Sequence, residues 1–109
     1  MENDCPTVEL EINDEKLINR AVVLLKGFAD PTRFKILCLL KDNEVCVHQI
    51  VEAFDISQSA ISHQLRILRD ARLVVSRKKG RHVYYKLADR HIKDMLTDSL
   101  SHSKEKQSS

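Results

Sequence analysis

A mainly α domain with one small β-hairpin is the fold predicted by this sequence of 109 residues. Three observations predict it. Apolar residues recur at helical spacing in five stretches. One basic segment around Gly80 is flanked by runs of β-branched and aromatic residues. Only two glycines and two prolines interrupt a composition that is 42% hydrophobic and 31% charged, as in ordinary globular chains. The length suits one domain and leaves no room for a second. Such a chain buries only roughly two-thirds of its unfolded surface, so a homodimer is a natural aid to stability.

Residues 1–12 are polar and acidic, with Pro6 against helix, and read as a mobile arm. The domain proper is expected over residues 13–106, with 107–109 a frayed tail. From Asn13 or Asp14, the residues Leu17, Ile18, Ala21, Val22, Leu24, Leu25 and Phe28 make a first helix. It should end by Asp30, because a residue before proline is biased away from helix. Pro31 suits the first turn of a second helix, capped by Asp30 and carrying Phe34, Ile36, Leu37, Leu39 and Leu40. Cys38 lies in that apolar run and reads as packing. After the polar break at 41–44, a third helix should run from about Cys46 to Ala53. Ser57 is an N-cap for a fourth. Two short helices joined by a tight turn form a helix-turn-helix. Residues 73–77 and 82–87 then read as strands, with Lys78-Lys79-Gly80-Arg81 as the turn between them. A last helix should start near Asp89, with Ile92, Met95, Leu96, Ser99 and Leu100 forming one apolar stripe.

The formal net charge of +2 conceals a strong segregation. Residues 1–30 hold seven acids against three bases, whereas residues 57–93 hold ten bases against two acids. A basic block inside a periodic region suggests a polyanion-binding surface. On a wheel that sets Gln58 at zero, Arg69, Ser62, Arg66, Ser59 and His63 fall between about 20° and 140°. The apolar residues Ala60, Ile61, Leu65, Ile67, Leu68 and Ala71 take the other side, with Gln64 as the one polar intruder. Glutamine and serine can hydrogen-bond base edges, and arginine reaches guanine or phosphate. A basic hairpin following such a helix makes a winged helix-turn-helix. The expected DNA contacts are Gln58, Ser59, Ser62, His63, Arg66, Arg69, Arg77, Lys78, Lys79 and Arg81. His82 reads as a surface or phosphate contact.

The terminal helix carries Asp89, His91, His102 and Glu105. Eleven residues apart, the two histidines differ by only about 20° in azimuth but by about 16 Å along the axis. One helix therefore cannot bring both to one ion, given zinc–nitrogen bonds of about 2.0–2.1 Å. Two copies packed antiparallel, with a two-fold axis near residues 96–97, would set Asp89 and His91 of one protomer beside His102 and Glu105 of the other. Two histidines with two carboxylates suit Zn(II). Cys46 and His48, with Cys5 from the arm, are a second, thiolate-containing candidate. Because imidazole must be neutral to bind, a response through these histidines should weaken toward about pH 6.

Together these segments resemble the ArsR/SmtB metal-sensing repressors, from about Leu24 to Glu105. The resemblance is carried by Ala29-Asp30-Pro31-Thr32-Arg33, by Glu44 to His48, by Ser57 to Leu65, by the wing, and by Asp89-x-His91 with His102-x-x-Glu105. It implies that the last four are inter-subunit ligands of a zinc-sensing branch. It also implies a homodimer that holds operator DNA without metal and releases it when Zn(II), Co(II) or Cd(II) binds, so that efflux or sequestration genes are expressed. The chain departs from the family's common Cys-x-Cys, having Cys46-x-His48 in its place.

Other classes fit less well. No apolar run approaches the roughly 18–20 residues of a membrane span, and the acidic start is unlike a secretory signal. A cytoplasmic protein with reduced thiols is expected, and three cysteines make a poor disulfide framework. A thiol-based redox or sulfur-responsive repressor using Cys46 is the alternative. No phosphate-binding glycine loop or convincing nucleophile–base pair is present, so neither enzyme activity nor a small-molecule substrate is expected.

Overall fold

The computed structural model describes residues 5–105. Residues 1–4 of the arm and the expected tail at 107–109 lie outside them. Residues 5–14 form no helix or strand and are exposed.

Helix α1, Glu15–Phe28, begins where the Asp14 side chain accepts from the Leu17 amide at 3.1 Å. Helix α2, Pro31–Leu39, begins with Pro31 in its first turn, and the Asp30 carboxylate accepts from the Arg33 amide at 3.0 Å. Helix α3 is Val47–Ala53, and α4 is Gln58–Asp70, capped by Ser57. Strands β2 (Val74–Lys79) and β3 (His82–Leu87) form the hairpin, followed by α5, Arg90–Lys104, capped by Asp89. Each side-chain cap meets backbone N–H groups that the first turn of a helix cannot pair.

Two details differ from the sequence reading. Lys78 and Lys79 belong to β2, paired with Val83 and His82. The turn is therefore only Gly80-Arg81, and Gly80 supplies the positive φ of 63°. A two-residue loop of this kind suits the twist of the flanking strands. In addition, Val45–Cys46 form a short strand β1 that pairs antiparallel with β3. The sheet order is β1-β3-β2, so the wing is anchored at its base to the chain entering α3.

The core is one cluster built from α2, α3, α4, the sheet and α5. Ile36, Leu37, Ile50, Ile61, Leu68, Leu73 and Leu96 are fully buried there. Ile92 and Leu96 belong to the apolar stripe of α5. Both are spent on the protomer's own core, at 3% and 0% exposure. Helix α1 shows the opposite balance. Over fourteen residues it buries only Gly27, and Leu17, Val22, Val23 and Leu25 are all more than 40% exposed.

Helix α4 ends in a Schellman motif. The Leu73 amide donates to the Leu68 carbonyl at 2.9 Å and the Arg72 amide to the Arg69 carbonyl at 3.0 Å. Arg72 occupies the left-handed position with φ 64°, where glycine is the usual residue.

Candidate DNA interface and metal-binding pairs

Helix α4 presents its polar strip outward, as the wheel predicted. Gln58, Ser59, Ser62, His63 and Arg66 line one shallow groove of about 480 Å³, and Arg69 is exposed in the last turn. Ile61, Leu65 and Leu68 on the opposite side are buried. Gln64, the polar intruder, has a partner that sequence reasoning missed. The Arg33 guanidinium donates to Gln64 Oε1, to the Gly27 carbonyl and to the Lys26 carbonyl, each at 3.0 Å. One side chain thus satisfies carbonyls left open at the end of α1 and fixes α4 against α1 and α2. A lone glutamine on an apolar face was the available signal, because a part-buried amide needs a hydrogen-bond partner.

Gly27 permits that arrangement. A Cβ at this position would lie 2.5 Å from Leu73 Cδ1, inside any van der Waals contact.

On the wing, Lys78, Lys79 and Arg81 are exposed. Arg77 is committed elsewhere: it donates through Nε and Nη2 to the two Glu44 oxygens, both at 2.7 Å. The pair holds the Glu44 carboxyl below the usual carboxylate range and raises the Arg77 guanidinium, the side-chain hydrogen bond contributing most to each. Lys93 of α5 pairs with Asp42 at 2.9 Å and lowers its carboxyl in the same way. These two contacts tie the loop before β1 to the wing and to α5.

The four terminal-helix candidates form two ready pairs. His91 Nδ1 is 3.3 Å from Asp89 Oδ1, and His102 Nδ1 is 3.6 Å from Glu105 Oε2. All four side chains are more than half exposed. Zinc bonds of about 2.0–2.2 Å meeting at a tetrahedral angle set two donor atoms about 3.3 Å apart, so each pair is spaced to share an ion. Asp89 Oδ1 also accepts from the His91 and Ile92 amides, which fixes the carboxylate. Among the described residues, no three His, Cys, Asp or Glu side chains of one protomer group around a common point.

The second candidate set is not assembled. Cys46 is the extended N-cap of α3, and its amide donates to Gln49 Oε1 at 3.1 Å. His48, in the first turn of α3, stacks edge-to-face on His82, with ring centres 5.7 Å apart. Cys5 is exposed on the arm. Cys38 packs against the core as expected, and burial pushes its thiol up, opposed by Lys41.

Residues 30–76 match the profile of the bacterial regulatory proteins of the arsR family. A transcriptional repressor SmtB homolog from Synechocystis is 46% identical over 79 residues, covering 72% of this chain and 60% of that protein's length. The transcriptional repressor SmtB of Mycobacterium tuberculosis is 34% identical over 102 residues, covering 94% of this chain and 75% of its own. In structure, the homodimeric winged helix-turn-helix DNA-binding domain from Mycobacterium bovis superposes with a TM-score of 0.78 at 25% identity, over 87% of this chain and 90% of that one. With these relatives, and with five helices among the described residues, the fourth polar on its exposed face and followed by a basic wing, the chain belongs to the ArsR family, whose members are DNA-binding transcription regulators and not enzymes.

Proposed function

We propose that this protein is a homodimeric, cytoplasmic repressor that holds operator DNA without metal and releases it when Zn(II), or a similar divalent ion, bridges the two α5 helices. The observation that carries the reading is the pairing of Asp89 with His91 and of His102 with Glu105 on the exposed side of one helix. Each pair supplies two ligands at a spacing that suits tetrahedral zinc. The pair near the start of α5 in one protomer and the pair near its end in the other complete a set of two imidazoles and two carboxylates.

Dimerisation draws support from α1, whose apolar face finds too little partner within the chain. Leu17, Val23 and Leu24 line a groove of about 490 Å³ with Ala71 and Arg72. A second copy covering α1 and the outer side of α5 would bury this surface. No helix of the described residues is long and apolar enough to cross a membrane.

Gln58, Ser59, Ser62, His63, Arg66 and Arg69 would read the major groove, and Lys78, Lys79 and Arg81 would hold flanking phosphates. Arg77 would contact DNA only after leaving Glu44. Fixing the angle between two α5 helices fixes the angle between the two α4 helices. A ligand shifts such an equilibrium only by binding one state better, and about 2.7 kcal/mol of coupling loosens operator binding about a hundredfold. The thiol alternative has less behind it: Cys46 is engaged at the start of α3 and is half-buried.

Fluorescence anisotropy with labelled operator tests the reading. Stoichiometric Zn(II) should release DNA from the native chain but not from His91→Ala or His102→Ala, both of which should bind normally without metal. Equal release from these variants at the same zinc concentration would overturn it.

A further inference from the structure

His48 and His82 come from distant parts of the sequence, and the fold sets them face to face. Strand β1 pairs with β3 through Cys46↔Tyr84. His48 follows β1 directly, in the first turn of α3, and the pairing of β1 with β3 brings that turn beside His82. Both side chains are exposed, with ring centres 5.7 Å apart and planes at 82°. His82 in turn lies edge-on to Tyr84 at 6.4 Å, which steadies its side of the pair. Two imidazoles sharing a tetrahedral ion have ring centres about 5 Å apart, from metal–nitrogen bonds of about 2.0–2.1 Å. Rotation about the soft terminal torsion of one exposed ring converts the edge-to-face contact into two converging nitrogens.

We propose that His48 and His82 form a second metal site, a two-imidazole clamp for a divalent ion of the zinc, nickel and copper group. It is distinct from the α5 pairs. It shares His48 with the thiolate candidate built on Cys46, but takes its second ligand from the wing and uses neither Cys46 nor Cys5. Imidazole selects these ions over magnesium and calcium. With two protein ligands and water completing the shell, the site is weaker and faster to exchange than a four-ligand one. Its mechanical effect is local. His82 pairs with Lys79 across the hairpin, so clamping it to α3 fixes the basic wing tip relative to the helix-turn-helix.

The test uses the full chain with His91→Ala and His102→Ala together, which removes the α5 ligands and separates this proposal from the function proposed above. Calorimetric titration with Zn(II) and with Ni(II) should still find one equivalent per protomer. Adding His48→Ala or His82→Ala should weaken that binding at least about tenfold, whereas adding Cys46→Ser should leave it unchanged. Both histidines lie on the surface, so the variants keep the fold, as an unchanged thermal midpoint will verify. The proposal is overturned if the double variant binds no ion, or if binding depends on Cys46 and not on His82.

Discussion

Removing the Arg33 side chain tests the packing logic most directly. Arg33→Ala deletes three charge-assisted donations of 3.0 Å. Hydrogen bonds to charged groups contribute about 1.5–3 kcal/mol each when well shielded. This guanidinium is only partly buried, and water can replace it at the Gly27 and Lys26 carbonyls. A total of about 2–3 kcal/mol is therefore expected. Gln64→Leu removes one acceptor and leaves Arg33 two, so it should cost about 1 kcal/mol. Because the two side chains share a bond, the double variant should be less destabilised than the sum of the single ones, with a coupling of about 1 kcal/mol. Urea denaturation at one fixed protein concentration measures all four corners of the cycle, since dimer stability depends on concentration. A loss below about 0.5 kcal/mol for Arg33→Ala, or strict additivity, would refute the claim that this residue fastens α4 to α1.

Four further outcomes follow from contacts described above. Gly27→Ala should lower stability by about 1–3 kcal/mol through overpacking against the buried Leu73, despite the better helix propensity of alanine; a rise in the urea midpoint would contradict this. Arg72→Gly should raise stability by up to about 1 kcal/mol by relieving the left-handed position, visible as a higher melting temperature. For Asp42 and Glu44, the folded-state carboxyls lie below the ordinary range. Their contribution is thus present above about pH 4 and is lost as pH falls through the depressed folded values; Asp42→Asn with Glu44→Gln should flatten that acid limb of the stability curve. Glu44→Gln should also free Arg77, tighten non-specific DNA binding at low salt and steepen the salt slope by about one; an unchanged slope would keep Arg77 out of the DNA footprint.

Local chemistry was readable in the sequence. Asp30 and Ser57 cap helices as expected, and Asp14 and Asp89 cap the helices expected to start near them, because capping involves neighbours within one turn. The recognition strip was readable for a related reason: helical periodicity assigns a face without knowledge of the rest of the fold. Non-local contacts were not. Strand β1 exists only because β3 lies beside it, and two residues carry no periodicity. Glu44 and Arg77 are 33 residues apart, and nothing near either one names the other. The α5 stripe was ambiguous for a different reason. An apolar stripe looks the same whether it meets its own core or a partner, and only the packing of Ile92 and Leu96 decides between them. His48 and His82 had been read separately because β pairing, not spacing, brings them together.

Strand β2 lies at the edge of the sheet, with β3 on one side and, among the described residues, no strand on the other. An open edge of that kind is a template for unwanted pairing between chains, and natural proteins blunt it with charge. Arg77, Lys78 and Lys79 occupy the outer half of this strand, all exposed. The cations of the wing therefore serve the protein even when no nucleic acid is near, since two such edges repel one another. Neutralising them to weaken DNA binding would also remove that protection, so the resulting variants should be handled as aggregation-prone proteins from the start.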